Sequence, residues 1–572
     1  MIKDVDINDS LELLKSARRA NKRRQNGEGN EEYRIAVLGT DSTQYICQAL
    51  KYILNINHGI SATIYEGGYD SITKSVLDAM SDYYLFQPKA CIMIPGTRDI
   101  KTLPPLMADN DLVDQLLQEY LSYYKKLWEE AAQTGAHVFM ANFVVSPVCI
   151  LGNLEANYRF SANAFIHEFN TVLIKERPNY VSLLDFDGLA ANFGKNKWFD
   201  YTAFFTSKQG FHIDALGVVC DTIARSIAAL YGKIRKCLVL DLDNTLWGGI
   251  VGDDGAMGIN LDPNDLVGEA YRFFQQYILD LKKSGIILAI CSKNDERIAK
   301  EPFLVNNDML IKLDDISCFV ANWDEKPQNL RIIANRLNIG IDSLVFFDDN
   351  PAERAIVTMQ LPEVQVIDVP NDPAYYVKVL SDSGVFDRIS LTKEDLTRSR
   401  FYTVSERTQV LSSYASYSDY LNGLEMKYAI DYLSESRIPR FAQLINKTNQ
   451  FNLRTQRYSE AQISIMLSSN DYRLIYAELE DKYSNYGLIS CVILKRNDCN
   501  FFVDTWVMSC RVFKRNVENK VFEFLINAAI SEGIRYIKGE YIPTAKNTIV
   551  SDFFFSLGFE KHDSNNQWVY TL

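Results

Sequence analysis

Leu240-Asp241-Leu-Asp243-Asn-Thr245-Leu-Trp-Gly-Gly249 continues directly from the apolar run Cys237-Leu-Val-Leu240. A short apolar run bounded by polar residues reads as a fully buried strand. The two aspartates then stand at its carboxyl end, where open α/β sheets place their ligands. The arrangement recurs downstream. Ser292 follows Ile286-Ile-Leu-Ala-Ile-Cys291, Lys326 ends Trp323-Asp-Glu-Lys326 soon after Cys318-Phe-Val320, and Asp348-Asp349 closes Leu344-Val-Phe-Phe347. With Val364-Gln-Val-Ile367 these runs predict one α/β domain whose polar strand ends converge.

Each residue type has a chemical reason to stand there. A phosphoryl group in transfer spreads negative charge over its oxygens, so it needs a hydroxyl donor, a lysine charge and a divalent cation. Mg²⁺ takes one or two carboxylates, and Asp349 or Asp348 can supply the distal one. Of two acids one residue apart, one can act as nucleophile while the other donates and accepts a proton. Singly, an Asp-x-Asp caps a strand end and a lysine is a solvated charge. Four ordered matches at strand ends point to a phosphoryl site.

Upstream, Arg34-Ile-Ala-Val-Leu-Gly39, Ala62-Thr-Ile-Tyr65, Ala90-Cys-Ile-Met-Ile94 and His137-Val-Phe-Met140 alternate with amphipathic stretches such as 112–130. That alternation predicts a doubly wound parallel sheet. A short helical pattern (Ile7, Leu11, Leu13, Leu14) precedes it, with a basic cluster at Arg18-Arg19 and Lys22-Arg23-Arg24 that reads as a solvated face. Gln25–Asn30 reads as a linker. Downstream, 392–420 reads as a charged, helix-compatible connector. Closely spaced strands at 472–478, 487–494 and 501–508, with a helix at 516–532, then predict a mixed α+β domain. The division expected is 1–33, 34–233, 234–385, 386–425 and 426–572.

The chain has 572 residues, 47% of them hydrophobic and 23% charged, an ordinary globular balance. Lys and Arg number 60 against 73 Asp and Glu, a net charge of −13, which excludes a generally basic nucleic-acid surface. No apolar run approaches the roughly 18 residues of a membrane span. The first residues lack a signal peptide's apolar segment. Ten cysteines form no C-x-x-C pair. A cytoplasmic protein with reduced thiols is expected.

The order Asp-x-Asp-x-Thr, Ser, Lys, Asp-Asp resembles the haloacid dehalogenase (HAD) superfamily of phosphatases and phosphotransferases. Residues 240–255 (LDLDNTLWGGIVGDDG), 291–295 (CSKND), 322–329 (NWDEKPQN) and 347–354 (FDDNPAER) are closer still to its FkbH-like, subfamily IIIC branch. Residues 444–455 (LINKTNQFNLRT) and 508–515 (MSCRVFKR) are similar to it as well. The resemblance implies a capless HAD domain using Mg²⁺. Asp241 would be nucleophile and metal ligand, Asp243 general acid/base and ligand, and Thr245 a support for the loop. Ser292, Lys326 and Asn244 would hold the phosphoryl group, and Asp349 with Asp348 would complete the metal site. Members are implicated in moving a glyceryl group from 1,3-bisphosphoglycerate to the phosphopantetheine thiol of an acyl carrier protein. The partners implied are thus a phosphorylated acyl donor and a carrier. A plain Mg²⁺-dependent phosphatase, an acyltransferase working from the C-terminal domain with another acyl group, and a carrier-docking scaffold are the rival readings. Cys291 and Cys510 are the candidates for an acyl-bearing thiol; for either, the plain alternative is a buried small apolar residue.

The flanks carry resemblances of their own. The first is similar to SGNH hydrolases through Gly39-Thr-Asp-Ser42, Gly67-Gly68 and Gly96-Thr-Arg-Asp99. Its blocks are broken: a Thr precedes Asp41-Ser42, Arg98 replaces an Asn, and Gln209 stands where an Asp should precede His212. Docking or substrate shaping is expected of it rather than hydrolysis. The last domain is similar to GNAT acyltransferases. Arg511, Lys514, Arg515 and Asn547 are its candidate carrier- or cofactor-binding residues, although Lys514 and Asn516 stand where glycines are usual.

Overall fold

The computed structural model describes residues 9–24, 33–396, 425–448, 450–481, 485–497, 499–509, 512, 515–544, 547–562 and 566–572. The fold is multidomain α/β, with three sheets among the described residues. The first runs β2-β1-β3-β4-β5, formed by β1 (Tyr33–Gly39), β2 (Ala62–Glu66), β3 (Ala90–Ile94), β4 (His137–Ala141) and β5 (Val181–Leu184), all parallel. The second, also parallel, runs β10-β9-β6-β7-β8, formed by β6 (Cys237–Leu240), β7 (Ile287–Ser292), β8 (Cys318–Ala321), β9 (Leu344–Phe347) and β10 (Gln365–Val366). The third has seven strands, β11 (Lys427–Tyr432), β12 (Tyr472–Glu480), β13 (Asn485–Asn497), β14 (Asn500–Met508), β15 (Tyr536–Glu540), β16 (Glu560–His562) and β17 (Gln567–Thr571). It is antiparallel except where β14 meets β15, and the helix Val517–Ser531 packs on it. The chain forms two compact units. One holds the chain up to Tyr231 with Ser434–Ala442 and Arg457–Asn470; the other holds the remainder.

The second sheet shows why its strands are strands. Leu238, Leu240, Leu288, Ile290, Val345 and Phe347 enter one apolar cluster, with Tyr271, Phe274 and Ile278 of the helix Leu266–Lys283. The alternating residues Val239, Ile287, Ala289, Cys291, Leu344 and Phe346 enter the other, with Leu330, Ile333 and Ala334 of the helix Lys326–Arg336. Side chains alternate across a strand, so a helix on each face buries the whole run and leaves the carboxyl ends for polar groups. Between Asp243 and the helix Leu266–Lys283 the chain makes only the short helix Val251–Asp254 and two isolated bridges, Asp243 with Trp247 and Gly248 with Asn260. No separate cap domain intervenes.

Several elements depart from the sequence expectation. β5 has no counterpart in the sequence pattern, because Val-Ser-Leu-Leu is short and interrupted by a serine. The edge strands β11 and β16, and β17 beside β16, bury no residue fully and show no continuous apolar run. The N-terminal helix spans Ser10–Arg24 and buries Leu13, Leu14 and Ala17. Most of the expected connector lies outside the described residues; its start forms the helix Lys393–Leu396.

Candidate active site

Asp241 follows β6, Ser292 ends β7, Lys326 opens the helix after β8, and Asp348-Asp349 follow β9. Because β7, β6 and β9 are adjacent and parallel, all four strand ends converge. Carboxylate oxygens of Asp241, Asp348 and Asp349 lie within 4.8 Å of one another. Lys326 Nζ pairs with Asp348 and stands 3.1 Å from Asp241 Oδ1. That oxygen is buried and makes no hydrogen bond. Lys326 and Asp348 are 2% and 0% exposed, so neither charge is relieved by water. Burial works against the Lys326 charge, but Asp241 and Asp348 outweigh it and hold its ammonium above the usual lysine range. Burial, then the neighbouring Asp241 charge, pushes Asp348 up to about 7 and raises Asp349 as well. Three carboxylates against one ammonium leave a cluster that a divalent cation would neutralise. The oxygen donor set, with its unbonded Asp241 oxygen, fits a hard divalent cation.

The neighbours fix this geometry. Arg354 Nη1 donates to the carbonyls of Asp348 and Asp349 at 2.9 and 2.8 Å, clamping the turn. Thr245 is buried, and its hydroxyl lies 3.1 Å from Asp349 Oδ1. Asp243 is held by three donors: Trp247 Nε1 at 3.0 Å, the Val251 amide at 2.9 Å and Asn294 Nδ2 at 2.8 Å. Burial raises its pKa against the pull of those hydrogen bonds, which suits a carboxyl that must both hold and release a proton. Asn294 and Arg354 were not singled out from sequence. Both lie in stretches quoted for the resemblance, but nothing in residue type alone marks them as orienting groups.

Other candidates find different employment. Asn244, expected at the phosphoryl group, adopts a left-handed backbone (φ 54°) and accepts from the Gly249 amide through Oδ1 at 3.1 Å. Its carbonyl accepts from the Tyr271 and Tyr376 hydroxyls, so it shapes the loop. Cys291, expected as an acyl-bearing thiol, is fully buried in the apolar cluster, and burial drives its thiol far from ionisation even with Lys326 nearby. A thiol held protonated is a weak nucleophile. Cys291→Ala is expected to cost about 1 kcal/mol of stability, as a lost buried group does, and to leave phosphate release within about threefold of wild type. Parallel urea-unfolding and phosphate-release measurements check this.

In the third sheet, Asn547 is fully buried and spent on its own loop. Its Nδ2 donates to the carbonyls of Asn452 and Ile542, both at 2.9 Å, and its Oδ1 accepts from the Thr544 amide at 2.7 Å. Arg515 pairs with the buried Asp481 at 2.7 Å and lies over the Tyr486 ring, 4.7 Å from its centroid. In this structure both side chains hold loops in place. Cys510, Arg511 and Lys514 lie outside the described residues. In the first sheet no hydrogen bond joins Ser42 to His212, whose Nδ1 accepts from the Asp214 amide at 3.2 Å.

Residues 34–228 match the family model described as FkbH, N-terminal domain. Among solved structures, the N-terminal part of protein BF1531 from Bacteroides fragilis, containing a phosphatase domain and complexed with Mg, is 34% identical. That alignment covers 66% of this chain and 99% of the other, with a TM-score of 0.61. The ribosomal-protein-S18-alanine N-acetyltransferase from Escherichia coli is 14% identical over 25% of this chain and 91% of its own, with a TM-score of 0.20. A GNAT-family acetyltransferase from Staphylococcus aureus is 12% identical over 26% of this chain and 99% of its own, with a TM-score of 0.21. A comparison with curated proteins finds no match. With acids, lysine and serine converging at the ends of its second sheet, the chain belongs to the FkbH-like family and is an enzyme of the HAD phosphatase type.

Proposed function

We propose that the second sheet is a Mg²⁺-dependent phosphoryl site acting on an acyl phosphate, and that the acyl group passes to a carrier thiol. The observation that carries this reading is the cluster of Asp241, Asp348 and Asp349 around the buried Lys326. Asp241 with Asp349 or Asp348 would hold the cation, which supplies charge neutralisation at the phosphoryl oxygens. Lys326 and Ser292 bind those oxygens. Asp241 is the carboxylate placed to attack phosphorus, and Asp243 the carboxyl placed to move the proton. In this reading residues 234–385 carry the chemistry, and 34–233 and 426–572 serve substrate and partner.

An acyl phosphate can also break at carbon. There a carrier thiolate attacks the carbonyl carbon, the C–O bond breaks, and phosphate leaves with the bonding electrons. The donor favoured is 1,3-bisphosphoglycerate, giving a glyceryl thioester, as the family resemblance implies. The deciding experiment incubates the full chain with Mg²⁺, 1,3-bisphosphoglycerate and a phosphopantetheine-loaded carrier, and weighs the carrier by intact-protein mass spectrometry. A glyceryl mass that disappears in Asp241→Asn supports transfer. Phosphate release with the carrier mass unchanged leaves a plain phosphatase and sinks the transfer.

The raised carboxyl of Asp348 fixes a pH dependence. With its folded pKa at about 7, above the unfolded carboxylate value, the folded state binds the extra proton between about pH 4 and pH 7. Without metal, stability therefore falls as pH rises through that window. Added Mg²⁺ competes with the proton, so its stabilisation should grow from pH 5.5 to pH 7.5. It should approach about 2.7 kcal/mol when free Mg²⁺ is a hundred times Kd. Thermal unfolding with Mg²⁺ or EDTA at both pH values measures it; equal shifts would refute the coupling.

A further inference from the structure

In the first sheet β1 has β2 on one side and β3 on the other, so the strand order reverses between β1 and β3. The loops leaving their carboxyl ends diverge there, and doubly wound sheets bind ligands at that point. A cavity of about 270 Å³ occupies it, walled by Asp41 and Ser42 after β1, Gly96 and Arg98 after β3, and Asn142 after β4. Much of the rest of its wall is aromatic, including Trp198, Phe199, Tyr201, Phe204, Phe205 and Phe211.

The charges at this cavity are matched. Arg98 Nη2 sits 2.7 Å from Asp41 Oδ1 and donates to the Thr40 carbonyl at 2.6 Å. Its guanidinium lies over the Tyr69 and Phe204 rings, 5.1 and 5.3 Å from their centroids. Asp41 fits only because Gly96 and Gly210 flank it; a Cβ there would come within 3.3 and 2.5 Å of Asp41 Oδ2. Asp99 accepts from the Thr40 hydroxyl and the Gly96 amide, and Asp200 caps the helix Tyr201–Ser207 through the Ala203 amide. Lys208 adds a positive charge near Asp41 and lies over the Phe204 ring. Every cation has an acid beside it or near it, so an anionic ligand gains nothing here. Ser42 has no base: His212, occupied by Asp214, does not line the cavity. A serine without a base is a weak nucleophile.

One group is unmet. Gln209 lines the cavity, is 4% exposed, and its Nε2 is buried with no acceptor. A buried donor left unpaired is costly, and a ligand oxygen would satisfy it. We propose that this cavity is a non-hydrolytic binding site for a small uncharged molecule with an apolar body and a carbonyl oxygen. The carbonyl accepts from Gln209 Nε2, and the apolar body lies among Trp198, Phe199, Phe204 and Phe211. A second, uncharged ligand would thus be held by the domain that precedes the phosphoryl site in the chain.

The test titrates hexanamide, and separately hexanoate, into the full chain by isothermal calorimetry, up to about 10 mM, the range of weak millimolar affinity. Hexanamide is expected to saturate and hexanoate to bind at least about tenfold more weakly, because a carboxylate must shed its hydration. Gln209→Leu should weaken hexanamide roughly tenfold, the worth of one hydrogen bond. Val144→Phe, on the cavity wall, should abolish binding by filling the space. Both variants should keep Mg²⁺-dependent phosphate release, which also shows that they fold. Lack of saturation by hexanamide, equal binding of hexanoate, or binding unchanged in both variants overturns the proposal. Turnover of p-nitrophenyl hexanoate that is lost in Ser42→Ala overturns its non-hydrolytic part.

Discussion

Asp241→Asn is expected to lose at least about 10⁴-fold in Mg²⁺-dependent release of phosphate from p-nitrophenyl phosphate, the scale seen when a catalytic nucleophile is removed. The substitution keeps the shape of the side chain. It removes the carboxylate that would bond to phosphorus, and it withdraws one charge from the cation's ligand set. Stability should move the other way. Asp241, Asp348 and Asp349 crowd three acids around one lysine, and the Asp241 charge raises the other two carboxyl pKa values after burial. Removing it relieves the repulsion, so the metal-free variant at pH 7.5 should be at least as stable as wild type. Stabilisation by Mg²⁺ should shrink, since a ligand is gone. Activity within tenfold of wild type in a folded variant would place the chemistry elsewhere in the chain.

How far the sequence spoke for the site follows from where each residue stands. β6, β7 and β9 are buried on both faces, so each appears as an uninterrupted apolar run, and the polar residue at its end stands out. Asp241, Ser292 and Asp348-Asp349 were visible for that reason. Lys326 was visible only through the order of the set, because one lysine in a polar stretch carries no pattern. Cys291 misled in the opposite direction. It adjoins Ser292 in sequence, but alternation turns successive side chains to opposite faces, and the thiol enters the apolar cluster that contains Val239 and Phe346. Asn547 and Arg515 stood where a ligand loop was expected, yet whether a polar side chain faces a ligand or its own loop is set by contacts distant in sequence. Asn547 meets the Asn452 carbonyl and Arg515 meets Asp481. The exposed edge strand β16 and its half-exposed neighbour β17 carry no apolar run to mark them in the sequence. The cavity in the first sheet shows the same limit: its residues come from five separate stretches of chain, and Gln209 stands out in the sequence only as a departure from a motif.

Lys326→Met tests the electrostatics of the cluster most directly. Methionine fills similar space against the Phe346 ring, which lies 5.7 Å from the Lys326 ammonium, so the main change is the lost charge. Asp241 and Asp348 are then buried with no counter-charge. Breaking one side of a buried ion pair costs about 3–5 kcal/mol. That loss should appear in metal-free buffer at pH 7.5 as faster hydrogen exchange of the β6 and β9 amides. It should be smaller at pH 5.5, because Asp348, already at about 7 with the lysine present, takes up a proton there and sheds its charge. Mg²⁺ at pH 7.5 should restore much of the protection by supplying the missing positive charge. Phosphate release should not recover with it. The phosphoryl oxygens lose a charged donor that acts in a water-poor site, a loss of about 10²–10³-fold for such a group. This separation is the decisive result: metal can replace the lysine as a counter-charge to the carboxylates, but not as a ligand to the substrate. If the exchange rates were equally raised at both pH values and insensitive to Mg²⁺, Lys326 would be a packing residue and the cluster would not be a cation site.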